Sequence, residues 1–129
     1  MRIAIAYSRV SKRASVDRKS VEVERDGVVD ACKNLGYETR VFPVGAHFEL
    51  RRLKKEILEY KPDCIFNLVE ELDEHPQGEF VFAYFLERIG IPYTGCNPES
   101  IFTGLHKHIT KMILSYYGIQ TPPFELVKS

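Results

Sequence analysis

Apolar positions fall into two alternating rhythms along the chain. Ile3-Ala4-Ile5-Ala6-Tyr7 is an unbroken apolar run, which suits a strand covered on both faces. A polar stretch follows from Ser8 to about Ser20. Val21, Val28, Cys32 and Leu35 then recur at helical spacing, and Gly36 stands where a left-handed residue would stop the helix. Glu38–Val44 reads as a second strand through Val41, Phe42 and Val44. Leu50, Leu53, Ile57 and Tyr60 mark a second amphipathic helix, ended by Pro62. Cys64–Val69 is a third buried strand. Gly78 opens a third helix that runs to Gly90, and Ile91-Pro92-Tyr93-Thr94 reads as a short fourth strand. Asn97-Pro98-Glu99 has the order of an N-cap and the first two positions of a fourth helix. Ile109, Met112, Ile113 and Tyr116 mark a fifth helix, stopped by Gly118.

Strands alternating with helices predict an α/β fold, here an open Rossmann-like three-layer sandwich with a four-stranded parallel sheet. Sheets of this kind bind ligands beyond the carboxyl ends of their strands. The loops after Tyr7, Val69 and Thr94 converge there. Residues 1–120 are expected to form this domain. Thr121-Pro122-Pro123 reads as a stiff linker, and Phe124-Glu125-Leu126-Val127 as the start of another strand, so residues 121–129 are expected to be a linker and the first residues of a further domain.

Composition narrows the class. With 44% hydrophobic and 28% charged residues, the chain is neither disordered nor collagen-like nor a coiled coil. No run of 18 uncharged apolar residues occurs, so no membrane helix is expected, and the apolar run after Met1 is too short for a signal peptide; the expected compartment is the cytoplasm. The net charge of zero argues against a uniformly basic nucleic-acid binder. Residues 1–60 carry 13 basic and 9 acidic side chains, residues 61–129 carry 5 and 9, so the two halves have opposite sign. Cys32, Cys64 and Cys96 are odd in number and widely spaced, which suits buried small hydrophobes better than a metal or a disulfide.

Candidate chemistry follows the predicted strand ends. Arg9, Lys12, Arg13, Arg18 and Lys19 follow the first strand with Asp17 as the one acid among them, which suits capture of a carboxylate or simply a solvated loop. Glu70, Glu71, Asp73, Glu74, His75 and Glu79 form an acidic stretch after the third strand. Nothing in their spacing fixes a metal geometry, and Glu70 at the strand end is the one placed to receive a substrate amine. His47, His75, His106 and His108 read as surface residues. In the third helix Phe82, Ala83, Leu86 and Ile89 supply the stripe that faces the sheet, which leaves Val81, Tyr84 and Phe85 for a homodimer contact or for cover by the later helices. Neither a Walker A motif nor G-x-G-x-x-G occurs.

Gly90-Ile91-Pro92-Tyr93-Thr94-Gly95, His106-Lys107, Thr110-Lys111 and Gly118-Ile119-Gln120-Thr121-Pro122 resemble the end of the N-terminal domain of the D-alanine–D-alanine ligases and their ATP-grasp relatives. Phe66-Asn67-Leu68-Val69-Glu70 and Gly78-Glu79 fit the same frame, so the resemblance covers residues 62–123 well and residues 1–60 in layout. It implies a pre-ATP-grasp domain of an ATP-dependent carboxylate–amine ligase that forms an amide through an acyl phosphate. Lys107 is then the lysine that reaches the nucleotide phosphates, and Glu70, Glu79, Arg9 and Lys19 are the substrate residues. ATP and Mg²⁺ belong to the full-length parent, with none expected on this chain, which is expected to be inactive until a missing ATP-grasp domain is supplied. The substrate is a small amino acid or peptide. Glu70 in place of the family's histidine, Gly78-Glu79-Phe80 in place of its Gly-Glu-Asp-Gly, and His106 in place of an aspartate point away from D-alanine. The alternative is a stand-alone Rossmann-like binding module without catalysis.

Overall fold

A computed structural model describes residues 1–9 and 16–127, with the backbone alone for residues 16–19. The elements in chain order are β1 (Arg2–Ser8), α1 (Val16–Asn34), β2 (Glu38–Val44), a short 3₁₀ turn (His47–Glu49), α2 (Leu50–Tyr60), β3 (Cys64–Leu68), α3 (Gly78–Ile89), α4 (Pro98–Leu105) and α5 (Lys107–Tyr116).

The strands form one parallel sheet in the order β2-β1-β3. Side chains alternate across a strand, and β1 uses both faces. Ala4 and Ala6 point into a core with Phe42, Val44, Leu53, Ile57, Ile65, Phe82 and Leu86, so α2 and α3 cover that side. Ile3 and Ile5 point to the opposite face, against Cys32 of α1, with Val28, Tyr37, Cys64, Phe66 and Leu68 packed around them. Burial of β1 on both faces is the reason its sequence is a continuous apolar run.

Among the described residues the sheet has three strands and not the four expected. Residues 91–94 begin a fourth: Ile65 N–H donates to Pro92 O (2.8 Å) and Thr94 N–H donates to Ile65 O (3.0 Å), a single parallel bridge opposite Tyr93. The ladder stops there for two reasons. Asn67 N–H, which the next rung would use, donates to the Thr94 hydroxyl instead (3.0 Å). Gly95 then turns the chain away at φ +106°, a conformation that suits glycine. The strand expected over Phe124–Val127 is also absent: residues 119–127 carry no regular structure, and Lys111 of α5 bonds Pro122 O and lies over the Phe124 ring.

Several boundaries follow their local chemistry. Gly36, Gly90 and Gly118 are left-handed at the three helix ends where the spacing places them. Asn97 caps α4, its side chain accepting from Ser100 N–H (2.9 Å), with Pro98 first in the helix. Two expected core positions fail. Leu35, past the end of α1, is 67% exposed, and Cys96 is exposed in the loop after Gly95, whereas Cys32 is buried as expected. Phe85 is not free for a homodimer contact: it packs on the core, its ring 5.5 Å from that of Phe82. Val81 and Tyr84 remain exposed. Among the described residues no helix is long and apolar enough to cross a membrane.

Candidate functional site

Because β1 and β3 are parallel neighbours in register Tyr7↔Leu68, their carboxyl ends lie side by side. Beyond Leu68 the chain leaves the sheet, and its amides need new partners. Side chains provide them. Val69 N–H donates to Asn67 Oδ1 (3.1 Å), and Glu70 and Glu71 N–H both donate to Ser8 Oγ (2.9 and 3.2 Å). Among the described residues Ser8 is the one polar residue in the buried set, 5% exposed, so its hydroxyl fixes the Glu70 amide from inside the fold.

A tight turn follows. Leu72 and His75 exchange both backbone hydrogen bonds (3.2 and 2.9 Å), with Asp73 and Glu74 left-handed between them at φ 54° and 63°. Two successive residues with positive φ are the geometry of a type I′ hairpin, which a glutamate adopts at a cost. Asp73 is held from the β2 side: its N–H donates to Gly45 O (2.9 Å), and its carboxylate accepts from His47 N–H (3.3 Å) and bonds the His47 ring at Nδ1. The bond from His47 holds the Asp73 carboxyl below the usual carboxylate range, against the smaller opposing effect of burial.

The hairpin in turn sets the start of α3. Gly78 lies so close to Leu72 that a Cβ there would overlap its amide nitrogen and its Cβ, and would sit 2.7 Å from its Cα. Glu79 therefore enters the first turn of α3 directly behind the hairpin. Burial, and secondarily the charge of Glu70, push the Glu79 carboxyl above its ordinary value. Glu70, exposed, thus lies within electrostatic reach of the half-buried Glu79. Such a pair accepts an ammonium group well, since a cation relieves the repulsion between them. A cavity of about 420 Å³ opens against the hairpin, lined by His47, Asp73, His75, Gln77, Phe80 and Val81 among others.

The other sequence-derived site residues do not join this pair. Arg9 extends β1 by one backbone bond to Val44 O (2.7 Å), closes its guanidinium over Gly45 and pairs with Glu49. Burial alone would raise Glu49, but the bonds from Arg9 and from Ala46 N–H (3.2 Å) outweigh it and hold the carboxyl below its usual range. The charge of Arg9 is answered within the chain. Lys12 and Arg13 lie outside the described residues, and the side chains of Arg18 and Lys19 outside the described side chains. Lys107 is the first residue of α5, exposed, and forms no ion pair with the described residues. Lys111 is committed elsewhere: its ammonium donates to Pro122 O (2.8 Å) and lies over the Phe124 ring (5.1 Å). His106 and His108 bring their rings within 6.0 Å because His106 sits at the break between α4 and α5. No group of three His, Cys, Asp or Glu able to hold a metal occurs among the described residues.

The pattern along the chain did not single out Ser8, Glu49 or the His47–Asp73 pair. A serine closing an apolar strand run at its carboxyl end is a legible signal. The other pairings are 26 and 40 residues apart and exist only through the parallel topology.

No protein-family model matches the sequence. A D-alanine–D-alanine ligase of Maridesulfovibrio salexigens is 30% identical over 101 residues, 78% of this chain and 31% of that protein. One of Glaesserella parasuis serovar 5 is 27% identical over 128 residues, 98% of this chain and 38% of that protein. The crystal structure of the D-alanine–D-alanine ligase from Bacillus anthracis superposes with a TM-score of 0.70 at 25% identity, over 95% of this chain and 36% of that one. The chain spans about a third of the length of the curated relatives it matches. By sequence and by fold, the chain is similar to the D-alanine–D-alanine ligases, over an extent that fits an N-terminal fragment of such an enzyme.

Proposed function

We propose that this chain is the substrate-side, pre-ATP-grasp domain of an ATP-dependent carboxylate–amine ligase, with residues 1–120 as the domain and 121–129 as the linker out of it. The observation that supports the reading is the acidic rim: Glu70, fixed by Ser8, and Glu79, its carboxyl raised by burial and by Glu70, follow β3 in a parallel-sheet fold similar to that of D-alanine–D-alanine ligases. The pair receives the ammonium of an amino acid or short peptide. Arg9 is satisfied by Glu49 and contributes to holding the β2 loop. Lys19 is retained as a carboxylate contact on sequence grounds.

ATP with Mg²⁺ supplies the phosphoryl group that activates the substrate carboxylate. The residues present fit one part of that requirement: Lys107, exposed and without an ion pair among the described residues, is suited to a nucleotide phosphate as a flexible point charge. No described cluster of carboxylates fits the metal. The nucleotide and its Mg²⁺ are assigned to an ATP-grasp region, which completes the site. The protein is read as cytoplasmic and the isolated chain as inactive.

The test joins this chain to the ATP-grasp portion of the Bacillus anthracis enzyme, replacing the part it superposes on. ADP release that depends on an added amino acid or peptide is expected, with Lys107→Ala raising KM for ATP and Glu70→Gln or Glu79→Gln raising KM for the amine-bearing substrate. A folded hybrid that releases no ADP with any amino acid or short peptide, or one indifferent to all three substitutions, would overturn the reading.

A further inference from the structure

The groove between α3 and α4 has no part in the ligase reading. Phe80 and Tyr84, four residues apart, share one face of α3. Phe102 of α4 meets Phe80 edge to face at 5.5 Å. With Pro98, Glu99 and Thr103 they line an open groove of about 390 Å³, at the lower end of the small-molecule range. Glu99 and Thr103 also belong to an adjoining hollow of about 360 Å³, whose other walls are Ser100, Gly104 and Thr110. An aromatic hollow and one walled by hydroxyl-bearing residues therefore share Glu99, which is exposed, and Thr103. Tyr84 is 58% and Phe102 39% exposed, so an apolar occupant would remove ring surface from water. Glu99 forms no ion pair with the described residues; it helps to hold the Tyr93 hydroxyl above its ordinary range, after burial and Glu87.

We infer that this groove binds an organic ammonium, a primary amine carrying an aromatic or branched apolar group, with the ammonium against Glu99 and the apolar group on Phe80, Tyr84 and Phe102. Three features select that chemistry. An anion would face Glu99. A neutral apolar molecule would desolvate the carboxylate and give nothing back. A cation near ring faces gains from the ring quadrupoles in addition to the carboxylate. Thr103, which lines both hollows, and Ser100 beside it carry hydroxyl oxygens for the remaining ammonium protons, while the Thr110 hydroxyl donates to Thr103 O. The inference stands apart from the ligase reading, since it uses none of Glu70, Glu79 or Lys107.

The test is a titration of the isotope-labelled full chain with 2-phenylethylamine, followed by amide chemical shifts. Saturable shifts are expected at residues 80–84 and 99–103. The neutral 2-phenylethanol should bind about fivefold more weakly, from the combined loss of an exposed ion pair and a cation–π contact. Glu99→Gln should reduce that discrimination while keeping the fold, and Tyr84→Ala should weaken both probes. Absence of saturable shifts in the groove, or equal affinity for amine and alcohol in the unsubstituted chain, would overturn the inference. So would sedimentation showing that a second copy of the chain occludes Tyr84.

Discussion

Gly78→Ala sets two physical effects against each other and gives the sharpest test of the site's scaffold. On helix propensity alone, alanine in place of glycine gains up to about 1 kcal/mol. On packing, the new methyl would overlap the Leu72 amide nitrogen and Cβ and sit 2.7 Å from its Cα. Neither side can retreat easily. Leu72 is 3% exposed and its amide bonds His75 O, while Phe82 and Leu86 anchor α3 in the core with no exposure. Overpacking costs about 1–3 kcal/mol, and displacing the hairpin would also forfeit the Asp73 N–H bond to Gly45 O, about 1 kcal/mol more. A net loss of about 2 kcal/mol is expected, a fall in Tm of roughly 8 °C for a chain this size. Gly27→Ala is the matched control: Gly27 lies inside α1 with nothing within 4 Å of a built Cβ, so it should raise Tm by roughly 4 °C. Thermal unfolding followed by circular dichroism reads both. A Gly78→Ala chain as stable as the parent would refute the claim that α3 is seated against the hairpin.

Ser8→Ala removes the acceptor of two amides at the rim and should cost about 2 kcal/mol in denaturant unfolding, with faster hydrogen exchange at Glu70 and Glu71. Glu79 titrates above its ordinary 4.5 in the folded chain, so the native state holds its proton more tightly than the unfolded state does. Stability should therefore decline as pH rises from about 4.5 through the raised value, and Glu79→Gln should lessen that decline; urea midpoints across the range check the sign. Asp73 shows the opposite sign: its contribution is present above its ordinary 3.8 and is lost as pH falls through the lowered value. His47→Ala should return the Asp73 carboxyl, followed by carbon NMR, toward 3.8.

The legible part of the fold was the part with local causes. Gly36, Gly90 and Gly118 mark helix ends because few other residues adopt positive φ cheaply, and Asn97-Pro98 marks a helix start because each suits its cap position. The apolar run of β1 reads as doubly buried because it is. The fourth strand failed because its apolar pattern is correct for one rung, and only the Thr94 hydroxyl and the turn at Gly95, both tertiary choices, end it. Phe85 failed because the stripe of α3 that meets the sheet is wider than the periodicity requires. At the site, the nearness of Glu70 and Glu79 beyond β3 was legible from their order in the chain, and their role as substrate residues is the proposal. That Arg9 is neutralised by Glu49 was not, because 40 residues separate them and the parallel register alone places the β2 loop beside the end of β1.

The central claim is that this acidic rim serves amide formation through an activated carboxylate. The most direct measurement labels the substrate carboxylate with ¹⁸O and follows the label in the hybrid of this chain with an ATP-grasp region. The account predicts one ¹⁸O in inorganic phosphate for each amide formed, because the carboxylate oxygen attacks phosphorus and leaves with it when the amine arrives. Label found in AMP, or amide formed with none in phosphate, would contradict it.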